Sequence, residues 1–222
     1  MRETKVKNIS EVTAEIKDGS TVMIGGFMGC GSPKVLIDEL VKNGAGNLVV
    51  ISSDTEFPGM GVGKLLSSGQ MKKLIATHIG NNPETGKMMT SGELEVELTP
   101  QGTFVERIRA GGAGLGGVLT PTGLGTIIEE GKRKVTIGSN TYLLETPLKA
   151  DVALIKAYKA DTCGNLVFRG SGRNFNIAMA TAADFVIAEV EECVDVGEID
   201  PEDVMLSGIF IDALVVRGVA KI

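Results

Sequence analysis

Short apolar runs alternate along this chain with segments whose apolar residues recur three or four positions apart, the two periods of strand and helix. Ile9–Lys17 has helical spacing: Val12 and Ile16 share a face, and Ser10 is placed to cap the amino end. Asp18-Gly19 stops it, and Thr21–Ile24 reads as a short buried strand. Pro33–Lys42 is the next helix, with Val35, Leu36, Leu40 and Val41 inward and Gly44 beyond its end. Leu48–Ser52 predicts a strand, Gly63–Ser68 a helix and Lys72–Thr77 another strand. Leu94–Thr99, "LEVELT", alternates and predicts a strand with one wetter face; Pro100–Ala110 follows as a helix with proline at its start. Strands alternating with helices predict βαβ units, hence an α/β fold with an open, largely parallel sheet flanked by helices.

After Ala110 the alternation breaks. Residues 111–126, "GGAGLGGVLTPTGLGT", form a glycine-rich excursion. "KVTIGSNTYLLE" then predicts a β-hairpin turning at Gly138-Ser139-Asn140, and "VALIKAY" with "NLVFR" a second one turning near Cys163-Gly164. Residues 178–183 suit a helix and Asp184–Val190 a strand. With no internal repeat or linker, residues 1–222 read as one domain with hairpins added in its second half.

Composition sharpens this picture in three ways. Aromatic residues are only 4% and Trp is absent, so the core is built from aliphatic side chains. The 30 glycines are roughly twice the usual share of about 7% and are clustered, which points to ordered loops. Net charge is −6 with only short basic clusters, which argues against a nucleic-acid surface. Cys30, Cys163 and Cys193 have no metal or redox spacing and read as reduced thiols of a cytoplasmic protein. "MRETKVKN" has no apolar segment behind it, against a secretory signal, and no apolar run approaches a membrane span.

Much chemistry is excluded. One histidine, His78, cannot build a multi-imidazole metal site, and it reads best as a hydrogen-bonded structural residue. There is no GxSxG elbow and no GxxxxGK[ST] loop. Glu129-Glu130 and Glu191-Glu192 are adjacent pairs whose members would point different ways.

The exception is "DGSTVMIGGFMGCGSP", residues 18–33. A strand ends at Ile24, four glycines follow within seven residues, and a helix begins with Ser32 as its expected N-cap and Pro33 at its first position. That arrangement aims backbone N–H groups and a helix amino end at one spot, the makings of an anion or oxyanion site. It is not GxGxxG, so a dinucleotide fingerprint is missing.

This stretch resembles the signature of the family I coenzyme A-transferases. "SSDTEFPGMGVGKLL", "HIGNNPETGKMMTSGELEVELTPQGTFVERIRAGGAGLGG", "TPTGLGTIIEEGK", "LIKAYKADTCGNLVF" and "RNFN" resemble the same family's α subunit. The resemblance implies the CoA-transferase fold and an enzyme that moves CoA between a thioester and a free carboxylic acid. "NNPETG" is more similar to the acetate/acetoacetate enzymes than to the succinyl-CoA:3-oxoacid enzymes, whose corresponding chain is the first alternative. A stand-alone sugar-phosphate isomerase-like enzyme and a CoA-binding module are the others.

The family's nucleophile is a glutamate on the β subunit, in a Glu-x-Gly context. Glu129-Glu130-Gly131 and Glu198 do not sit in that motif, so this chain is expected to supply half a site, in an α2β2 assembly. Gly25, Gly26, Phe27, Met28, Gly29, Cys30 and Gly31 match the loop assigned to CoA, which is substrate and not a resident cofactor. Phe27 and Met28 could simply wall the pocket, and Cys30 is given no chemistry of its own. Gln101, in "TPQGT", matches the glutamine that contacts the acyl carboxylate or oxyanion; a helix-terminal residue bonding its own backbone is the bland alternative. Gly111–Gly117 suits a tight loop against the partner or a ligand contact equally well. Arg173 and Asn174 suit the second hairpin or the partner. No metal is implied.

Overall fold

The computed structural model describes residues 4–218; residues 1–3 of the charged amino-terminal stretch and 219–222 lie outside it. The β-branched run Thr21–Ile24 forms β1, and its side chains alternate between two apolar layers, as the two-residue period of a strand requires. Met23 joins Ile51, Ile75, Phe104, Ile155 and Met179 on one face, while Val22 and Ile24 join Val50, Leu74, Leu36, Leu40 and Leu65 on the other. A strand buried on both sides must be central. It is: β1 pairs in parallel with β2 (Leu48–Ser52) and with the long β8 (Ala150–Asp161).

The remaining strands extend that sheet both ways. β3 (Met71–Ala76) and β4 (Glu95–Leu98) continue beyond β2; β10 (Ala183–Val194) and β11 (Ala213–Val216) continue beyond β8. The order is β11-β10-β8-β1-β2-β3-β4, all parallel, with the short β9 (Leu166–Val167) antiparallel on β8. The chain leaves β1 toward β2 on one side and returns beside β1 as β8 on the other. This reversal makes the carboxyl end of β1 a topological switch point, where open α/β sheets bind ligands.

Helices α1 (Ile9–Thr13), α2 (Lys34–Asn43) and α3 (Val62–Ser67) supply Val12, Leu36, Ile37, Leu40, Leu65 and Leu66 to one layer. On the other layer lie α5 (Gln101–Gly112) and α6 (Asn176–Ala180). α4 (Pro83–Ser91) packs beside α3 and buries only Thr85. A smaller antiparallel sheet of β5 (Val118–Thr120), β6 (Lys134–Ile137) and β7 (Asn140–Glu145) branches off after α5, with the predicted 134–145 hairpin inside it.

Three expectations change. The first helix stops at Thr13 and not Lys17, although Ile16 is still buried. Its cap is Asn8, whose side chain accepts from Ser10 N at 2.9 Å, because Ser10 already lies inside the helix. Ser32 does not cap α2: its hydroxyl donates to Glu56 Oε1 at 2.6 Å, and Pro33 stands at the cap position without a side-chain bond. The apolar pattern predicts neither α4 nor β11.

Candidate functional site

The loop from Gly25 to Gly31 closes on itself. Phe27 N donates to Cys30 O at 3.0 Å and Cys30 N to Phe27 O at 2.9 Å. The two residues between, Met28 (φ 49°) and Gly29 (φ 81°), are both left-handed, the conformation of a type I′ turn. Glycine takes that conformation freely; methionine does so at a cost on the order of 1 kcal/mol. Asp54 Oδ2 holds Met28 in place by accepting its N–H at 2.9 Å.

Residues after β2 brace the loop from behind. Ser53, Asp54, Thr55 and Glu56 are polar and all buried. Asp54 Oδ1 accepts from Glu56 N at 2.7 Å, fixing Glu56 at φ 52°. Glu56 Oε1 then accepts from Ser32 Oγ and, at 3.2 Å, from Val62 N. Tip and base of the glycine loop are thus tied to one acidic segment.

The other side is held by α6 and β10. Asn176 is fully buried; its Oδ1 accepts from Lys156 N at 3.0 Å, and its Nδ2 donates to Gly31 O at 3.1 Å and Gly172 O at 2.8 Å. A Cβ on Gly25 would overlap the Asn176 carboxamide, and one on Gly31 would overlap Gly172 O. Glu189, fully buried on β10, accepts from Val35 N at 2.8 Å and Leu36 N at 3.3 Å. The amino end of α2 is therefore occupied by the chain's own carboxylate. Burial pushes that carboxyl above the ordinary glutamate range, against the pull of the two helix N–H groups.

This refines the reason for four glycines. Each has an intramolecular cause: Asn176 behind Gly25, φ 122° at Gly26, the I′ turn at Gly29, Gly172 against Gly31. Four of the loop's amides, those of Gly25, Phe27, Met28 and Cys30, are already bonded within the fold. Those of Gly26, Gly29 and Gly31 have no hydrogen-bond partner among the described residues.

Two clefts open beside the loop, separated by the contact of Cys30 Sγ with Ser171 Oγ at 3.3 Å. One, of about 370 Å³, is lined by Phe27, Cys30, Gln101, Val105, Ser171, Asn174 and Phe175. Gln101 reaches it as the first residue of α5, directly after the carboxyl end of β4. Phe27 leans on Phe175 at 6.5 Å between ring centroids, and Phe175 stands edge-on to the fully buried Phe104 at 5.7 Å. The second cleft, of about 360 Å³, lies between Gly31 and Arg169, whose guanidinium stacks on Tyr158 at 3.3 Å. Lys156 there pairs with Glu191 at 2.9 Å.

The structure thus brings Phe27, Cys30 and Gln101 to one cleft and Cys30 and Gly31 to the other; Gly25 and Gly26 lie behind, and Met28 is exposed at the turn. His78 is exposed after β3, with its backbone N–H donated to Ser53 O, and lines neither cleft. Arg173 is exposed outside both, whereas Asn174 lines the first and donates to Cys30 O at 2.9 Å. Gly111–Gly117 starts at the far end of α5, about 15 Å along the helix from Gln101. Val105, Phe175 and Asn176 lie inside stretches that carry the family resemblance, "TPQGTFVERIRAGG" and "RNFN", but neither stretch marks them individually; Ser171 has only the "GSG" at 170–172. Among the described residues no group of acidic, histidine or cysteine side chains is set to hold a metal, and no helix is long and apolar enough to cross a membrane.

A doubly covered parallel sheet with a closed glycine turn and a glutamine at its switch point defines a protein that handles a small ligand over exposed backbone. The chain belongs to the Coenzyme A transferase family, whose model matches residues 6–217. It is 53% identical over 212 residues to the acetoacetyl-CoA:acetate/butyrate CoA transferase alpha subunit of Clostridium acetobutylicum, covering 96% of this chain and 97% of that one. It is 49% identical over 203 residues to the corresponding chain of the succinyl-CoA:3-ketoacid coenzyme A transferase of Xanthomonas campestris, covering 91% and 84%. The acyl-CoA transferase YdiF of Escherichia coli O157:H7, solved as a thioester complex with CoA, shares the fold with a TM-score of 0.87 at 22% identity. That likeness covers 96% of this chain and 47% of that one, so the chain spans about half of YdiF.

Proposed function

We propose that this chain is the α subunit of a cytoplasmic enzyme exchanging CoA between a short-chain acyl-CoA and acetate or acetoacetate. Its whole length forms one α-subunit domain, in an α2β2 assembly. The observation that carries the reading is the Gln101 cleft, which has the glycine turn on one wall and no carboxylate in its lining. Asp54 is buried behind the turn and bonded to it, Glu56 is buried there with Oε1 bonded to Ser32 and Val62, and Glu129 pairs with Lys134 of the smaller sheet. We therefore assign the attacking carboxylate to another polypeptide.

In this reading the thioester carbonyl is attacked by a glutamate that the partner supplies. The acyl group passes to that glutamate as an anhydride and CoA leaves as thiolate. CoA thiolate then attacks the glutamyl carbonyl, releasing the first acid and leaving a glutamyl-CoA thioester. A second acid takes up the CoA by the reverse steps. Negative charge gathers on the carbonyl oxygen at each attack, and fixed donors are worth most there. The amides of Gly26, Gly29 and Gly31 and the Gln101 carboxamide are this chain's available donors. A neutral amide suits a site visited by several carboxylates in turn.

The test is to purify the chain with its partner, add acetoacetyl-CoA and reduce the trapped thioester with borohydride. Modification is expected on the partner and not on this chain, with no turnover by this chain alone. A modified residue here, or turnover without a partner, would overturn the reading.

A further inference from the structure

We propose that the cleft between Phe27, Val105 and Phe175 is an acyl pocket that takes short uncharged acyl groups and rejects those ending in a second carboxylate, with Val105 as its length gauge. This rests on the transferase reading and goes beyond it, since relatives of near-equal identity are named for both butyrate and succinyl-CoA.

Charge decides the class. None of the seven lining residues is a lysine, arginine, histidine, aspartate or glutamate. The polar ones are mostly committed: Asn174 Nδ2 donates to Cys30 O and Ser171 O, its Oδ1 accepts from Phe175 N, and Ser171 Oγ lies against Cys30 Sγ. Only the Gln101 carboxamide has no partner among the described residues. It is neutral, and one amide serves one carbonyl or carboxylate. A distal carboxylate seated against Phe27, Val105 and Phe175 would lose its hydration with no cation among these lining residues to replace it. A methyl, propyl or acetonyl tail would gain by the same burial.

Size decides the gauge. The volume of about 370 Å³ lies at the small end of the roughly 300–1,000 Å³ of ligand pockets. Phe175 is buried edge-on against Phe104, and Phe27, 37% exposed, leans on it. Val105 is different. It lies one helical turn from Gln101, on the same face of α5, and is only half-buried. One methylene in such a pocket is worth roughly 10- to 200-fold in kcat/KM.

The experiment measures kcat/KM for acetyl-, butyryl-, hexanoyl- and succinyl-CoA, with acetate (or, for acetyl-CoA, butyrate) as acceptor, on the complex with its partner. The wild-type protein is expected to prefer butyryl- over succinyl-CoA by at least about 100-fold. Val105→Phe should lower the butyryl/acetyl ratio at least about tenfold, and Val105→Ala should raise the hexanoyl/butyryl ratio by a similar factor. If Val105→Phe does not assemble, the alanine variant carries the test. Comparable kcat/KM for succinyl- and butyryl-CoA, or chain-length ratios that ignore residue 105, would overturn the pocket and leave the transferase reading standing. No transfer from any of the four thioesters would overturn both.

Discussion

Two glycine-rich segments stand toward opposite ends of α5 and differ in character. Gly25–Gly31 is gripped on every side: by Asp54 and Glu56 from one strand end, by Asn176 from α6, and at its exit by Glu189 on β10. Gly111–Gly117 lies at the other end of α5, with Leu115 56% exposed and open space around Gly114 and Gly116. Both look alike as strings of letters. What separates them is that the first is bound by distant side chains along its length and meets Gln101, whereas the second is pressed only at its ends, where Leu148, Thr181 and Glu145 lie against Gly111, Gly112 and Gly117, and is open between. Glycine count marks where backbone is bare; only tertiary neighbours show where it is organised.

That contrast can be broken most directly with one matched pair of substitutions. Gly31→Ala combines φ 70° with overlap on Gly172 O and should cost about 3–5 kcal/mol in urea unfolding; Gly114→Ala, at φ 69° in open space, should cost about 1–2 kcal/mol. Equal losses would mean that the first loop is not gripped as described. Next in size, Gln101→Ala in the complex with its partner should lower kcat/KM about 100-fold while leaving the melting temperature in place, because the Gln101 side chain is exposed and has no hydrogen-bond partner among the described residues. A stability loss without a kinetic one would return Gln101 to a structural role.

The smallest effect concerns the grip itself. Because burial raises the Glu189 carboxyl, the folded chain holds that proton more tightly than the unfolded chain does. Its contribution to stability therefore declines as pH rises from the ordinary glutamate range through the raised value. Glu189→Gln should remove this decline, making the variant's unfolding free energy less dependent on pH than the wild type's above the ordinary glutamate range. Parallel pH profiles would show that Glu189 is not buried against the α2 amino end.

How much of the fold is legible in the sequence follows from which forces are local. The strand-turn-helix unit around residues 21–43 can be read because Thr21–Ile24 is an unbroken apolar run and proline and glycine mark its neighbours. α4 escapes notice because "PETGKMMTS" has no apolar stripe; its only sign is Asn82-Pro83, cap and first position. β11 escapes because four apolar residues alone do not identify a strand whose partner, β10, is a distant one. Ser32 is misassigned for the same reason: the capping rule is local, and Glu56 outcompetes it from 24 residues away. Gln101 and the loop are visible through motif resemblance, but Asn176, 145 residues from Gly31, leaves no periodic trace.

The Glu189 cap has a consequence for biosynthesis. Residues 25–31 leave the ribosome early, yet the groups that set their shape arrive with Leu154, Asn176 and Glu189. A nascent chain that ends before β8 has every letter of the motif but lacks Leu154, Asn176 and Glu189. Competence should appear late during translation, and an amino-terminal fragment ending before β8 should be inert toward acyl-CoA however well its first strands pair.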